Sequence, residues 1–244
     1  MKLWKFLVDA QVGSRRHCFD LILKGQVSVN NTVNERPLSE IDPQKDVINI
    51  EDKKVKPVKG VFDPVYIMMN KPSGVICSRK DEKGRFTLYD LIKHKNLSKK
   101  HLIYAGRLDY KTEGLIFLTN DGDFVNLLTH PRYNVLKYYY VEIKGSLEDR
   151  DVKRMTRGIS SENVLYKVKE VKILSRAPRS TRMIIVLNEG KNREIRNIFL
   201  ILRYKVKYLK RIQMGPFKLD GKLEPGEYKL VSKKEIQKFM NRFQ

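Results

Sequence analysis

The sequence is poor in the residues that build covalent or metal frameworks: two cysteines, four histidines and one tryptophan among 244 residues. Cys18 and Cys77 form no CxxC pair, and the histidines fall at no metal-ligand spacing, so neither a disulfide scaffold nor a structural zinc site is expected. Long hydrophobic runs are missing as well. No stretch approaches the ~20 apolar residues of a membrane span, and MKLWKFLVDAQVGSRR is too charged for a secretory signal, so a cytoplasmic protein without a membrane partner is the expectation. Glycine-rich phosphate loops, internal repeats and low-complexity tracts are also lacking.

Charge of one sign, by contrast, is abundant. Fifty Lys and Arg against 28 Asp and Glu leave a net charge of +22. Residues 1–60 contribute 11 and 8, a net of +3, and the remainder 39 and 20, a net of +19. The excess therefore belongs to the larger part of the chain and is no detachable tail. A polyanion such as nucleic acid is the natural partner, although a basic housekeeping protein would carry the same charge. With 41% hydrophobic residues the chain can build a core.

Two short helices open the chain. Residues 3–11 are apolar at helical spacing, and Ser14 is placed to cap RRHCFDLILK, which stops at Gly25. Strands follow at VSVNNTV, around an Asn30-Asn31 turn, and at DVINIE. Residues 52–64 are rich in Lys with Pro57, Gly60 and Pro64, and read as a connection. The division is a module over 1–55, a linker over 56–64 and a second domain over 65–244. In the second domain, strands are expected at VYIMM, GLIFLT, VLKYYYVEI, NVLYKVKEVKIL, RMIIVLN, YKVKYL and GEYKLV. Helices are expected at LYDLIKHK, FVNLLTH and EIRNIFLILR, with a last one opened by the capping box Ser232-Lys233-Lys234-Glu235. YKVKYL alternates Lys with apolar residues, giving one wet basic face. The absence of a strict βαβ rhythm points to an α+β fold.

Three segments could carry chemistry. Ala105 to Gly114 is a polar loop feeding a buried strand, with Asp109 flanked by Arg107 and Lys111. Cationic neighbours favour an ionised carboxylate, suited to a nucleophile or general base, and an ordinary loop salt bridge would use the same residues. In Lys137-Tyr138-Tyr139-Tyr140, strand parity puts Tyr139 with Val135, Val141 and Ile143 and its neighbours on the other face. Tyr139 is thus the tyrosine to point into an apolar site, or simply into the core. Glu189 to Arg196 runs from a strand through a Gly loop into a helix start, where backbone N–H groups and Lys191, Arg193 and Arg196 favour a phosphate or a buried carboxylate. In the N-terminal module Arg15 and Arg16 begin a helix that Lys24 ends, positions fit for phosphate contact or for a solvated helix face.

In these residues the chain resembles the small-ribosomal-subunit-type family of pseudouridine synthases. Gly106-Arg107-Leu108-Asp109, continuing through Thr112-Glu113-Gly114-Leu115 to Leu118-Thr119-Asn120-Asp121-Gly122, is similar to its signature. Asn70-Lys71-Pro72-x-Gly74 resembles the turn before it, Lys137-x-Tyr139 its second motif, and Glu189-Gly190-Lys191-Asn192-Arg193 its third. Residues 3–51 resemble the S4 RNA-binding domain that the family carries at its N-terminus. His130-Pro131-Arg132 and Asn192-Arg193 resemble the large-subunit branch, the 23S rRNA pseudouridine synthase B-like members. Glu194, where the family usually has Gln, and Asn197-Ile198, where a basic residue and Met are common, depart from the pattern.

The resemblance implies a small S4-like α/β module joined to a catalytic domain with a mixed, largely antiparallel sheet flanked by helices. It implies an isomerase that turns a uridine of ribosomal RNA, in the 23S molecule, into pseudouridine by base flipping, without cofactor or metal; the oligomeric state is open, with a monomer as the default expectation. It makes Asp109 the catalytic carboxylate, Tyr139 the residue that stacks on the uracil, and Lys191 the cation that orients Asp109, with Arg193 as the alternative. Arg107 would hold the flipped state. Lys71, Arg193, Arg196, Arg15, Arg16 and Lys24 would contact RNA, as would the basic strand 203–211. The competing reading is a non-catalytic S4-type protein of ribosome assembly, against which the intact trio Asp109, Tyr139 and Lys191 speaks. DNA binding is disfavoured by the lack of a helix-turn-helix signature.

Overall fold

The structure is a computed structural model that describes residues 1–56, 64–94, 97 and 102–243. It divides into two compact units, Met1–Pro64 and Val65–Gln244.

In the first unit, helices α1 (Leu3–Asp9) and α2 (Arg15–Leu23) cover a small antiparallel sheet of β1 (Val27–Val29), β2 (Thr32–Val33), β3 (Ile48–Ile50) and β4 (Lys53–Lys54) in the order β2-β1-β3-β4. Leu3, Phe6 and Leu7 meet Cys18, Ile22, Val27, Ile41 and Ile48 in one apolar cluster. Ser14 caps α2 by accepting from the His17 N–H at 3.2 Å, and Gly25 ends it at φ +66°. Asn30 and Asn31 both take positive φ, 51° and 67°, as the two-residue hairpin turn requires. Residues 53–54 pair with β3 through a second tight turn at Glu51 and Asp52, both at positive φ, and so belong to the unit, although they lie in the Lys-rich stretch 52–64 that reads as a connection. Most of the expected linker, residues 57–63, lies outside the described residues.

The second unit is built on one mixed sheet. Its elements in chain order are β5 (Tyr66–Lys71), β6 (Ile103–Ala105), β7 (Glu113–Thr119), α3 (Gly122–Thr129), β8 (Lys137–Lys144), α4 (Asp149–Arg157), β9 (Ile159–Ser161), β10 (Val164–Tyr166), β11 (Glu170–Ala177), β12 (Ser180–Leu187), α5 (Glu194–Ile201), β13 (Val206–Met214), β14 (Phe217–Lys218), β15 (Tyr228–Leu230) and α6 (Lys233–Met240). The strand order is β11-β12-β8-β13-β7-β5-β15, with β14 on β13 and β6 on β7, while β9 and β10 form a separate hairpin. Among the described strands of the sheet only β13 and β7 run parallel, so the sheet is mixed and largely antiparallel as expected.

Alternation along β5 and β7 splits the core. Ile67, Met69, Ile116 and Leu118 face one cluster, and Tyr66, Met68, Leu115 and Phe117 face a second that α3 and α6 cover. That double burial explains why GLIFLT reads as one continuous apolar run. Gly114 sits where β13 passes closest: a Cβ there would lie 2.2 Å from the Arg211 carbonyl oxygen. No other residue fits this parallel pairing.

Three local expectations fail. Residues 88–91 form turns instead of a helix, because Asp90 turns back to accept from the Thr87 N–H and hydroxyl. The expected strand 163–174 is two strands of different sheets. Helix α4 was not anticipated, since its sequence is almost wholly charged. It is supported by Asp149 and Asp151 in its first turn and Arg154 and Arg157 in its last, which suit the helix dipole, and by Met155 buried beneath it.

Candidate active site

A cleft of about 610 Å³ opens over one face of the sheet. The loop from Gly106 to Thr112, between β6 and β7, forms one wall, the segment from Glu189 to Arg196 the opposite wall, and β8 and β13 the floor.

The loop is held from below. Lys71, at the end of β5, is fully buried. Its ammonium donates to the Pro72 and Thr112 carbonyls at 2.9 Å each and approaches that of Tyr110 at 3.4 Å. Burial pulls its pKa down to about 8. This corrects the expectation that Lys71 contacts RNA: the charge is spent on the loop backbone, out of reach of any ligand. The Thr112 N–H donates to the Asp109 carbonyl at 3.0 Å and closes the turn that presents Asp109.

Asp109 lines the cleft with its side chain 31% exposed. Its cationic partner is Arg196, on the first turns of α5, with Nε 3.6 Å from Oδ2. That distance is an ion pair but long for a hydrogen bond. The same guanidinium donates to Thr112 Oγ1 at 3.2 Å and reaches the Lys111 carbonyl at 3.3 Å, so it ties both walls together. Burial lowers the Arg196 pKa and the Asp109 charge opposes that fall; a guanidinium stays protonated regardless.

The predicted pairing of Lys191 with Asp109 is corrected here. Lys191 Nζ donates to Glu189 Oε1 and to the Leu165 carbonyl, each at 2.6 Å, and the alternative, Arg193, forms no ion pair with Asp109 among the described residues. Local chain geometry explains this: Arg193 takes φ 50° just before α5, and three residues into the helix Arg196 points back to the loop. The backbone N–H groups expected to await an anion are partly used internally, as the Lys191 N–H donates to Glu194 Oε2 at 3.0 Å.

Strand parity was the sound guide on the floor. Tyr139 is buried on the same face as Val141 and Ile143, and it lines the cleft, whereas Val135, which precedes β8, packs in the second cluster against expectation. Tyr138 and Tyr140 are half-buried on the other face. The register sets Arg211 of β13 beside Tyr139. Two floor residues were not anticipated as site residues. Lys137 is two positions before Tyr139 on the same face, so parity alone would have found it. Arg211 lay within the basic strand read as wet, yet register shifts in β13 turn it inward. Both line the cleft and are more than nine-tenths buried.

Arg107 is exposed at the cleft rim. In the first unit Arg16 and Lys24 are exposed on α2, whereas Arg15 stacks its guanidinium over Trp4 at 4.6 Å and Phe19 at 5.3 Å. No helix among the described residues is long and apolar enough to cross a membrane.

A carboxylate beside a guanidinium, a tyrosine face and a basic rim over a mixed sheet make a cleft suited to an anionic ligand. Its class follows from comparison: the sequence profile of the RNA pseudouridylate synthases matches residues 65–200, and the chain belongs to that family of isomerases. An uncharacterized RNA pseudouridine synthase of Aquifex aeolicus is 35% identical over 97% of this chain and 92% of its own. One from Borreliella burgdorferi is 34% identical over 98% and 93%. A putative chloroplastic ribosomal large subunit pseudouridine synthase of Arabidopsis thaliana is 32% identical over 97% of this chain and 60% of its own. A crystal structure of a pseudouridylate synthase superposes with a TM-score of 0.68 at 28% identity, covering 98% of this chain and 99% of that one.

Proposed function

We propose that the protein converts a uridine of 23S ribosomal RNA to pseudouridine, with Asp109 as the catalytic carboxylate. The observation that carries this is the placement of Asp109, inside the cleft, paired with Arg196 and facing a floor that holds Tyr139. The reaction breaks the C1′–N1 glycosidic bond, turns the retained uracil and joins C5 to C1′. An in-duplex uridine must first leave its stack, which costs a few kcal/mol. Arg107, exposed at the rim, is placed to hold that flipped state. Tyr139 would stack against the uracil and take up the C5 proton.

The first unit acts as an S4-type RNA-binding module. Arg16 and Lys24 supply phosphate contacts that set position rather than base choice, while Arg15 stiffens the face through its aromatic stack. Arg193, on the cleft wall, and the exposed Lys205 and Lys207 extend the basic path on the second unit. The large-subunit target is supported by the name of the Arabidopsis relative and by the branch-like motifs.

The test is pseudouridine mapping of ribosomal RNA from cells carrying wild-type protein, no protein, or Asp109→Asn. One 23S uridine should be modified only with the wild type, and purified Asp109→Asn should bind the RNA with unchanged affinity. Turnover by the variant near the wild-type rate would defeat the assignment of Asp109.

A further inference from the structure

The floor of the cleft contains a second cationic group that the Asp109–Arg196 pair does not explain. Arg211 donates from Nε to the Leu115 carbonyl at 2.7 Å, but its buried Nη2 has no partner among the described residues. Among the described residues Lys137 has only a long 3.4 Å approach to the Asn188 carbonyl. The acids whose charge acts on Lys137 are Glu194 and Glu189; Glu194 Oε1 is buried without a partner among the described residues, and burial pushes its pKa upward. Burial, and then the charge of Arg211, pull the Lys137 pKa down to about 8. Two buried cations with so few hydrogen-bond partners are costly in the resting protein. Such an arrangement is stabilised by negative charge arriving in the cleft. Both lie next to Tyr139, Arg211 across the strand pair and Lys137 two residues along the same face.

We propose that Lys137 and Arg211 stabilise the uracil ring while it is detached from the ribose, as the counter-charge to the anion that glycosidic cleavage creates. This rests on the pseudouridine synthase reading above and deepens it. When C1′–N1 breaks heterolytically, the electron pair leaves with N1 and is shared over O2 and O4. Lys137 Nζ and Arg211 Nη2 donate to this delocalised anion as it turns over Tyr139. Closure of the C5 electron pair onto C1′ neutralises the ring; the C5 proton then leaves to a base and N1 takes up a proton, which completes pseudouridine. The cations are needed only between those two bond events, so they favour the transition states over the bound uridine.

Lys137→Met decides the matter, with Arg211→Lys as the conservative companion. The substrate is 23S RNA transcribed with [5-³H]uridine, and the readout is single-turnover tritium release. Lys137→Met should release tritium on the order of 10²-fold more slowly, the effect of losing one such donor. Its affinity for the RNA should be unchanged, and its melting temperature should rise, since a buried charge without good hydrogen bonds is gone. The wild-type rate should fall above pH 8, as Lys137 loses its proton, and the variant should lack that limb. Arg211→Lys should retain part of the rate. Release by the wild type together with an unimpaired Lys137→Met would overturn this inference alone, as would a slower variant that also melts lower or binds RNA more weakly. A wild-type protein that releases no tritium from either 23S or 16S RNA would bring down the underlying reading and this one with it.

Discussion

Replacing Lys71 by Met sets two sizeable effects against each other, and pH separates them. The substitution keeps the volume but leaves the Pro72 and Thr112 carbonyls buried without their donor; the 3.4 Å approach to Tyr110 counts for little. At about 1–3 kcal/mol for each unsatisfied group, the loss is about 4 kcal/mol. Against it stands relief of a buried charge. A folded value near 8 against the ordinary 10.5 makes the ammonium about 3 kcal/mol less favourable here than in water. Because the folded pKa is the lower one, the unfolded chain binds more protons between pH 8 and 10.5, and wild-type stability rises with pH across that window. Lys71→Met lacks this rise. At pH 7 the variant should therefore be only about 1 kcal/mol less stable, and at pH 10 about 4 kcal/mol less stable. For a unit of this size that difference is roughly 6–12 °C in melting temperature. Urea titrations followed by near-ultraviolet circular dichroism at both pH values read it directly. A deficit that is the same at both, or larger at pH 7, would refute the claim that Lys71 is a buried ammonium strapping the Asp109 loop.

Two further outcomes follow from the same geometry. Arg196→Lys should cut the single-turnover rate about 10²-fold, since an ammonium cannot hold Asp109, Thr112 and the Lys111 carbonyl together, whereas Lys191→Met should change it little. Equal losses in the two variants by tritium release would contradict the observed pairing. Gly114→Ala should destabilise the second unit by about 3 kcal/mol or more in urea unfolding, combining overpacking against β13 with strain at φ +104°. Wild-type unfolding in that variant would mean the β7–β13 approach is looser than described.

The local rules of chain chemistry were legible without coordinates. Ser14, Gly25, the Asn30-Asn31 turn and Ser232 all mark the element boundaries they were expected to mark, because caps and turns are settled by a few neighbouring backbone groups. Period-two burial placed Tyr139 on the inner face for the same local reason. Asp109 was the outstanding acid of a polar loop before a buried strand, and the co-ordered motifs assigned it a role as soon as the family resemblance was drawn. Helix α4 escaped because its register is decided by charges suited to its dipole and by one buried methionine, with too few apolar positions to show a period.

The sequence by itself thus determined most of the long strands, most helices, the family and the acid that lines the cleft. Only the tertiary structure decided which cation serves it. Lys191, Arg193 and Arg196 lie within six residues, and any could have met Asp109 by sequence distance. The choice is made by the left-handed turn at Arg193 and the direction of α5, which send Arg196 to the loop and leave Lys191 to Glu189. The same holds for Lys71, drawn under the loop, and for Arg211, turned inward by the shifted register of β13. Burial and partnership are properties of the space between distant segments, and no short motif encodes them.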